Sequence, residues 1–332
     1  MLQDRFALGQ NYYAAHDHEN SVLIFSEIEE TPNFTLLNVD GIDVTIGDLV
    51  LPIRVAATYQ LGNSYRNVGR TKLERSRNLR DEGNEQVADE RRRESLAAFD
   101  SARQYYHRVQ EVEDAPLNVR AMSQYQIVRA SFQTEDYAGV VVEAQVLLDK
   151  FPGSDYEDAA IYDSGWALYY QGKYRETINA FARLLEVSED ALKRDRAIFQ
   201  TAESYMALGD RQEARIWYGK LVDSYDFSSL SGKELNKMKA QRLRGLVQET
   251  TRELVAKAQI RIADSYAEEG DIDNAIAAYS LVPERYPQES LLTQKSFDNM
   301  AKMVLERQGV DAGIRVLRQA QEQVEDRYFR GR

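Results

Sequence analysis

The amino-acid sequence predicts an all-α solenoid built from six to seven helix-turn-helix units. Three observations predict this fold class: a spacing of small and aromatic residues recurs along the chain, the prolines lie between the recurrences, and the composition suits a folded protein. With 43% hydrophobic and 29% charged residues, the chain can bury a core and is too apolar for wholesale disorder. The 332 residues are enough for two domains or one repeat array, and the recurrence favours the array.

The recurrence is clearest when Gly172, Gly209 and Gly270 are aligned. A small residue stands seven positions before each glycine, while a small residue and an aromatic residue stand five and nine positions after it. These residues are Gly165, Ala202 and Ala263, then Thr177, Ala214 and Ala275, and finally Phe181, Tyr218 and Tyr279. A glycine between two segments of helical spacing is typical of a turn between helices, so each recurrence predicts one helix-turn-helix unit.

This spacing resembles the tetratricopeptide repeat, in which small residues at positions 8 and 20 let two antiparallel helices approach each other. The resemblance implies a right-handed superhelical array. Its numbering places the first positions of six units at Leu2, Val55, Ala121, Asp158, Asp195 and Ala256, and a degenerate seventh unit follows. All six prolines lie at or near predicted unit boundaries, where a residue without an N–H is tolerated. They are Pro32, Pro52, Pro116, Pro152, Pro283 and Pro287.

Three insertions are predicted to interrupt the array. In chain order, the segments are the first unit at 1–35, an insertion at 36–54, the second unit at 55–115 with a charged hairpin at 70–94, the third to fifth units at 121–225, an inserted basic helix at 226–253, and the sixth and degenerate seventh units at 254–332. In the first insertion, β-branched residues alternate with polar residues after Asp40-Gly41, which predicts a short β-hairpin or an extended loop.

The insertion at 70–94 carries eight basic and seven acidic side chains around a turn signal at Gly83-Asn84. It is predicted to extend the two helices of the second unit into a charged hairpin. Because its charges nearly cancel, we interpret it as two solvated helices joined by ion pairs. The alternative is an arm that contacts a partner or a second copy of the chain through Arg91-Arg92-Arg93.

Composition and motifs exclude several classes of function. The net charge of -12 would repel a phosphate backbone, so nucleic acid is not expected as a partner. The absence of cysteine excludes disulfides and cysteine-based chemistry, and no apolar stretch is long enough for membrane insertion. With three histidines and no catalytic or nucleotide-binding motif, the sequence predicts neither an enzyme nor a cofactor. The segment His16-Asp17-His18-Glu19 is interpreted as a polar turn rather than a metal site.

The tetratricopeptide resemblance also implies a binding groove, because positions 2, 5, 9, 12 and 13 of each first helix face the concave side in that family. Position 5 holds Phe6, Tyr59, Tyr125, Tyr162, Phe199 and Ile260. The predicted partner-binding residues are Tyr125, Arg129, Phe132, Tyr162, Trp166, Tyr169, Tyr170 and Phe199. Aromatic residues and arginine are enriched in binding hot spots, so we expect a protein or peptide partner, presented as an extended strand or an amphipathic helix. The alternative is that these side chains pack against one another or under an insertion.

The aromatic residues at position 5 are also unlike the family's chaperone-tail clamp, which has lysine there, so a co-chaperone of that type is disfavoured.

The linkers resemble those of bacterial envelope members of the family. Phe151-Pro152-Gly153-Ser154 is followed later by Tyr286-Pro287-Gln288-Glu289-Ser290, and the third to fifth units start 37 residues apart. The resemblance is to the outer-membrane-assembly lipoprotein and the Tol-Pal-associated periplasmic coordinator. It implies a non-enzymatic scaffold or adaptor in envelope assembly or maintenance.

Three alternative functions remain open at this point: a cytoplasmic adaptor, a sugar- or peptide-binding module, or a domain of a larger enzyme. The expected location is periplasmic or outer-membrane associated if a signal lies upstream of Met1, and cytoplasmic otherwise. The sequence predicts no particular oligomeric state.

Overall fold

The computed structural model describes residues 2–30, 42–112, 115–225 and 251–330 of the chain. These ranges contain fourteen α-helices and one two-stranded antiparallel sheet, which confirms the predicted all-α class. The chain divides into two compact regions, residues 1–173 and residues 174–332. We call them the N-terminal and C-terminal regions. Of the predicted inserted helix at 226–253, residues 226–250 lie outside the described residues, as do residues 36–41 of the first insertion.

The N-terminal region holds seven helices and the sheet. In order they are α1 (Leu2–Ala14), α2 (His18–Glu29), β1 (Asp43–Ile46), β2 (Leu49–Pro52), α3 (Ile53–Asp81), α4 (Glu85–Glu111), α5 (Leu117–Gln133), α6 (Tyr137–Lys150) and α7 (Glu157–Tyr170). The sheet is the predicted hairpin, with Asp43 opposite Pro52 and Ile46 opposite Leu49. From α3 onward each helix packs against the next in sequence, and α5 also contacts α7. This is the local arrangement of a helical repeat array.

The C-terminal region holds the remaining seven described helices. They are α8 (Tyr174–Val187), α9 (Ala191–Ala207), α10 (Arg211–Asp223), α11 (Thr251–Glu268), α12 (Ile272–Arg285), α13 (Ser290–Gln308) and α14 (Val310–Arg330). Consecutive helices pack against each other here as well, and α9 contacts α11 while α11 contacts α13. None of the helices in the described ranges is both long and apolar enough to cross a bilayer.

The turns between paired helices follow the predicted chemistry. Gly172, Gly209 and Gly270 have φ values of 72°, 80° and 78°, a left-handed conformation that glycine adopts at no steric cost. An aspartate next to the last two glycines starts the following helix: Asp210 accepts a hydrogen bond from Glu213 N, and Asp271 accepts one from Asn274 N. The glycine therefore ends one helix and the aspartate caps the next.

Small residues at the helix crossings permit close approach. A Cβ on Gly9 would lie 2.8 Å from the Phe25 ring, and one on Gly62 would lie 2.6 Å from the Tyr106 ring. Phe25 and Tyr106 are fully buried. The predicted role of small residues at position 8 is thus observed directly in the first two units, where the ring of the second helix occupies the space of the missing side chain.

The charged hairpin is formed by the extensions of α3 and α4, which meet at Gly83 with a φ of 82°. Its charges pair within the chain: Arg80 with Asp89 at 2.7 Å, Lys72 with Glu94 at 3.0 Å, and Arg92 with Glu135 of the α5–α6 turn at 3.8 Å. These contacts favour the interpretation as solvated helices joined by ion pairs. Such exposed pairs each contribute well under about 1 kcal/mol, so packing along the buried side of the hairpin holds it together.

Pro283 lies near the end of the sixth unit, as predicted, but it is inside the last turn of α12 rather than beyond the helix. Proline has no N–H to donate to the carbonyl of Tyr279, four residues earlier. The buried hydroxyl of Ser296 on α13 donates to that carbonyl instead, at 2.6 Å. Ser296, thirteen residues after Pro283, therefore provides the donor that the Tyr279 carbonyl lacks within its own helix.

We predict that Gly62→Ala lowers the free energy of unfolding by about 1–3 kcal/mol, because its methyl group overlaps the buried Tyr106 ring. The matched control is Gly219→Ala on α10, where nothing lies within 4 Å of the added carbon. That change should be neutral or stabilising by up to about 1 kcal/mol, since alanine favours helix. Chemical denaturation measures both. Equal effects of the two substitutions would contradict the close-approach role of Gly62.

We also predict that Ser296→Ala costs about 1–3 kcal/mol of stability, because it leaves the Tyr279 carbonyl without a partner. Adding Pro283→Ala restores an N–H donor at position 283 and should recover part of that loss. The control is Ser280→Ala, at an exposed serine on α12, the helix that contains Pro283. It should change stability by less than about 0.5 kcal/mol. Additive losses in the double variant would contradict the compensation.

Candidate functional site

The candidate site lies on α5, α6 and α7 of the N-terminal region. Seven of the eight residues predicted from the sequence lie on α5 or α7. The eighth, Phe199, lies on α9 in the C-terminal region, where its ring packs edge-to-face against Tyr218 at 5.4 Å. Since Tyr218 is a fully buried core residue, packing accounts for the position of Phe199.

Six aromatic rings in this part of the chain form a continuous set of contacts. They are Phe132 on α5, Tyr137 at the start of α6, and Tyr162, Trp166, Tyr169 and Tyr170 on α7. We call these six residues the aromatic cluster. Tyr170 connects the helices, because its ring centroid lies 5.0 Å from Tyr137, 6.3 Å from Phe132 and 5.8 Å from Trp166. Trp166 in turn contacts Tyr162 at 6.3 Å and Tyr169 at 6.2 Å.

The aromatic cluster is not enclosed like the core aromatic residues. Tyr170 keeps 53% of its surface exposed, and the other five rings are half-buried. By contrast Tyr106 and Tyr218 are fully buried. A cluster of this size that remains in contact with water differs from the single exposed apolar residues that are normal on protein surfaces.

A second group of side chains lies beside the aromatic cluster, around the buried carboxylate of Asp163. The Tyr125 hydroxyl donates to Asp163 Oδ2 at 3.2 Å, and Arg129 Nη1 lies 3.5 Å from the same oxygen. Asp163 is only 7% exposed, whereas Arg129 keeps 44% of its side chain in solvent. The Tyr125 ring stacks on Tyr156 at 5.4 Å. Asp163 therefore fixes a tyrosine and a partly exposed arginine next to the aromatic cluster.

This environment keeps Tyr125 in its neutral form. Burial raises the pKa of the Tyr125 hydroxyl, and the negative charge of Asp163 raises it further. The hydroxyl consequently remains a hydrogen-bond donor well above neutral pH.

Three of the six residues at position 5, Phe6, Tyr59 and Ile260, are buried. Phe6 packs edge-to-face against the buried Phe25 at 5.3 Å. Tyr59 contacts the buried Tyr106 at 5.8 Å, and Ile260 belongs to the core of the C-terminal region. Neighbouring helices therefore cover these three residues.

Sequence reasoning missed Tyr137 and Tyr156. It considered the first helix of each unit, whereas Tyr137 starts the second helix of the third unit and Tyr156 lies in the linker before α7. The position of Tyr137 in the sequence could have indicated its role. It directly follows the turn Thr134-Glu135-Asp136, and this turn brings the chain back beside Phe132. Their ring centroids are 5.8 Å apart.

The corresponding face of the C-terminal region has different chemistry. Arg261 on α11 pairs with Glu203 of α9 at 2.7 Å and lies 3.7 Å from Asp264. The hydroxyls of Tyr218 and Tyr279 donate to Glu203 and Asp264, respectively. Position 9 is thus Arg129 and Trp166 in the third and fourth units, and Glu203 and Asp264 in the fifth and sixth units. The C-terminal face is a hydrogen-bonded ionic network, so the aromatic cluster is the stronger candidate for apolar recognition.

Three segments of the chain match the tetratricopeptide-repeat family model: residues 159–188, 196–228 and 257–289. They coincide with the sequences of α7 and α8, α9 and α10, and α11 and α12. The chain therefore contains tetratricopeptide repeats, a module typical of protein–protein interaction scaffolds. No curated protein sequence matches the chain.

Two solved structures are similar to the chain at low sequence identity. The apo form of RapI is 12% identical, with 98% of this chain and 77% of that chain covered and a TM-score of 0.48. The C-terminal part of a TPR repeat-containing protein from Cytophaga hutchinsonii is 12% identical, with 85% of this chain and 95% of that chain covered and a TM-score of 0.41. The repeat assignment rests on the matched segments and on the helix pairs.

Alkaline pH is predicted to destabilise the fold. A phenol whose pKa is raised on folding contributes its full stabilisation below the unfolded value of about 10, and that contribution is lost as the pH rises toward the folded value. Burial raises the pKa of Tyr59 to about 12 and also raises those of Tyr125 and Tyr279. The free energy of unfolding should therefore fall between about pH 10 and pH 12. Urea unfolding at about pH 8, 10 and 11 measures this free energy of unfolding. A free energy that does not change over these pH values would contradict the burial of the three hydroxyls.

Proposed function

We propose that the chain is a non-enzymatic scaffold or adaptor that binds a segment of a partner protein across the aromatic cluster. One observation carries the proposal: six aromatic rings on helices of two successive repeats contact one another, and all six are partly exposed to solvent. The bound segment is an extended strand or a single amphipathic helix that presents apolar side chains. Asp163, Tyr125 and Arg129 lie at the border of the surface as hydrogen-bonding groups.

Energetics support binding by these residues. Each large aromatic side chain can bury about 150–250 Å² and loses little conformational freedom on binding, because it has only two rotatable side-chain bonds. The rings already contact one another, so the free protein holds much of the surface in place before a partner arrives. Preorganisation of this kind lowers the entropic cost of association.

We place the scaffold in bacterial cell-envelope assembly or maintenance. The two similar linkers support this placement. Phe151 and Tyr286 each end a helix, donate their backbone N–H to the carbonyl four residues earlier, and bury their rings. The aromatic-Pro linker is therefore a recurring structural element of the repeats, as it is in the envelope members that the sequence resembles.

Trp166 offers the most direct test of the partner site. Once a partner has been purified with the chain from an extract of its source organism, its binding segment can be titrated by calorimetry. Trp166→Ala should weaken the affinity by about 2 kcal/mol or more, because the residue contacts three other rings of the aromatic cluster. The melting temperature of the Trp166→Ala variant should change little.

The matched control is Trp217→Ala in the C-terminal region, where Lys220 lies over the ring at 3.7 Å. This variant should keep the partner affinity. A large loss of stability by Trp166→Ala, of about 3–5 kcal/mol, with unchanged affinity would show that Trp166 is core and would contradict the proposal. Saturable binding of an oligosaccharide without any polypeptide ligand would favour a sugar-binding module instead.

A further inference from the structure

We infer that the partner segment is basic, and that it places an arginine or lysine side chain against the aromatic cluster. This inference rests on the proposed function and adds the sign of the partner's charge. Three observations carry it: the orientation of the rings, the cation contacts that similar rings make elsewhere in the chain, and the charge of the helices that carry the cluster.

The rings of the aromatic cluster point in different directions. The Trp166 plane makes angles of 69° with Tyr162 and 76° with Tyr169, and Tyr169 makes an angle of 72° with Tyr170. Rings that meet edge-to-face have their faces turned in different directions. Aromatic faces carry negative potential, so a cation near several such faces is attracted by each of them.

Rings in this chain already accept cations. Arg108 lies over Tyr105 at 4.8 Å from the ring centroid, Arg215 lies over Tyr266 at 4.4 Å, and Lys220 lies over Trp217 at 3.7 Å. The side chains that recognise cations within the chain are therefore of the same types, tyrosine and tryptophan, that make up most of the aromatic cluster.

The local charge favours a basic partner. Residues 117–170, which span α5 to α7, carry eight carboxylates and three basic side chains. The segment therefore has a formal net charge of -5, and the ion pair of Arg129 with Asp163 removes one charge of each sign. An acidic segment would be repelled by this surface, whereas a basic segment would be attracted to it.

Glu135 brings this charge next to the cluster. It lies in the α5–α6 turn two residues before Tyr137, and it keeps 54% of its side chain exposed. Arg92 lies 3.8 Å from the carboxylate, but an exposed pair at that distance is weak and is screened by salt. A lysine or arginine of the partner can therefore reach Glu135 while its aliphatic stem lies on the neighbouring rings.

The test uses three synthetic amphipathic peptides with the same apolar spacing, whose polar positions hold lysine and arginine, glutamine, or glutamate. Binding is followed by the fluorescence of Trp166 in the full chain carrying Trp217→Phe, so that one tryptophan reports. The basic peptide should bind at least about tenfold more tightly than the acidic one at about 0.02 M salt, and this preference should shrink at about 0.3 M.

Charge reversal at one position gives the matched comparison. Glu135→Lys should weaken the basic peptide about threefold to tenfold and strengthen the acidic peptide. Glu322→Lys makes the same change of charge at an exposed position on α14, outside the aromatic cluster, and should leave all three affinities unchanged. If both variants weakened binding of the basic peptide equally, the effect would depend only on the net charge of the chain, and the inference would be overturned.

The two proposals fail in different ways. If all three peptides bind equally and Trp166→Ala abolishes binding in a calorimetric titration, the partner surface stands and the inference about charge is wrong. A preference for the acidic peptide would also overturn the inference. If none of the peptides binds, the proposed function itself loses its support.

Discussion

The close approach of a small residue on one helix to an aromatic ring on the next is the contact on which the rest of the structure depends. At Gly9 and Gly62 the helices are near enough that one extra carbon would overlap the rings of Phe25 and Tyr106. Ala202 and Ala263 are fully buried at the equivalent position of later repeats. Because each crossing involves only adjacent helices, stability is distributed along the chain rather than concentrated in one core.

Because stability is distributed over many helix crossings, the other side chains of the first helix can differ in chemistry from one repeat to the next. Phe6 and Tyr59 contribute to the core of their own region, while α5 and α7 carry five of the six rings of the aromatic cluster. In the C-terminal region, Arg261 and its carboxylate partners form an ionic network at related positions. One backbone arrangement thus supports packing, apolar recognition and charge pairing, and the function has to be argued from the individual side chains.

The sequence predicts the helix pairs, the turns and both hairpin insertions because their signals are local. A glycine with positive φ and a following aspartate cap identify a turn within a few residues, as at Gly209 and Asp210. Burial at position 5 was not predictable in this way, because it depends on which neighbouring helix covers the residue. The partnership of Tyr137 with Tyr170 and the rescue of Pro283 by Ser296 join residues from different helices, and no periodicity within one helix reports such contacts.

Photo-crosslinking from the aromatic cluster tests the central claim, that it is a surface for a partner and not part of the core. Tyr170 is the suitable position, since half of its surface is exposed and a benzophenone side chain can replace it without entering the core. Irradiation in cells of the source organism, followed by mass spectrometry, should find one recurring partner segment attached to this position and not to a benzophenone at exposed Glu322. Crosslinks that join Tyr170 only to other residues of this chain would contradict the account.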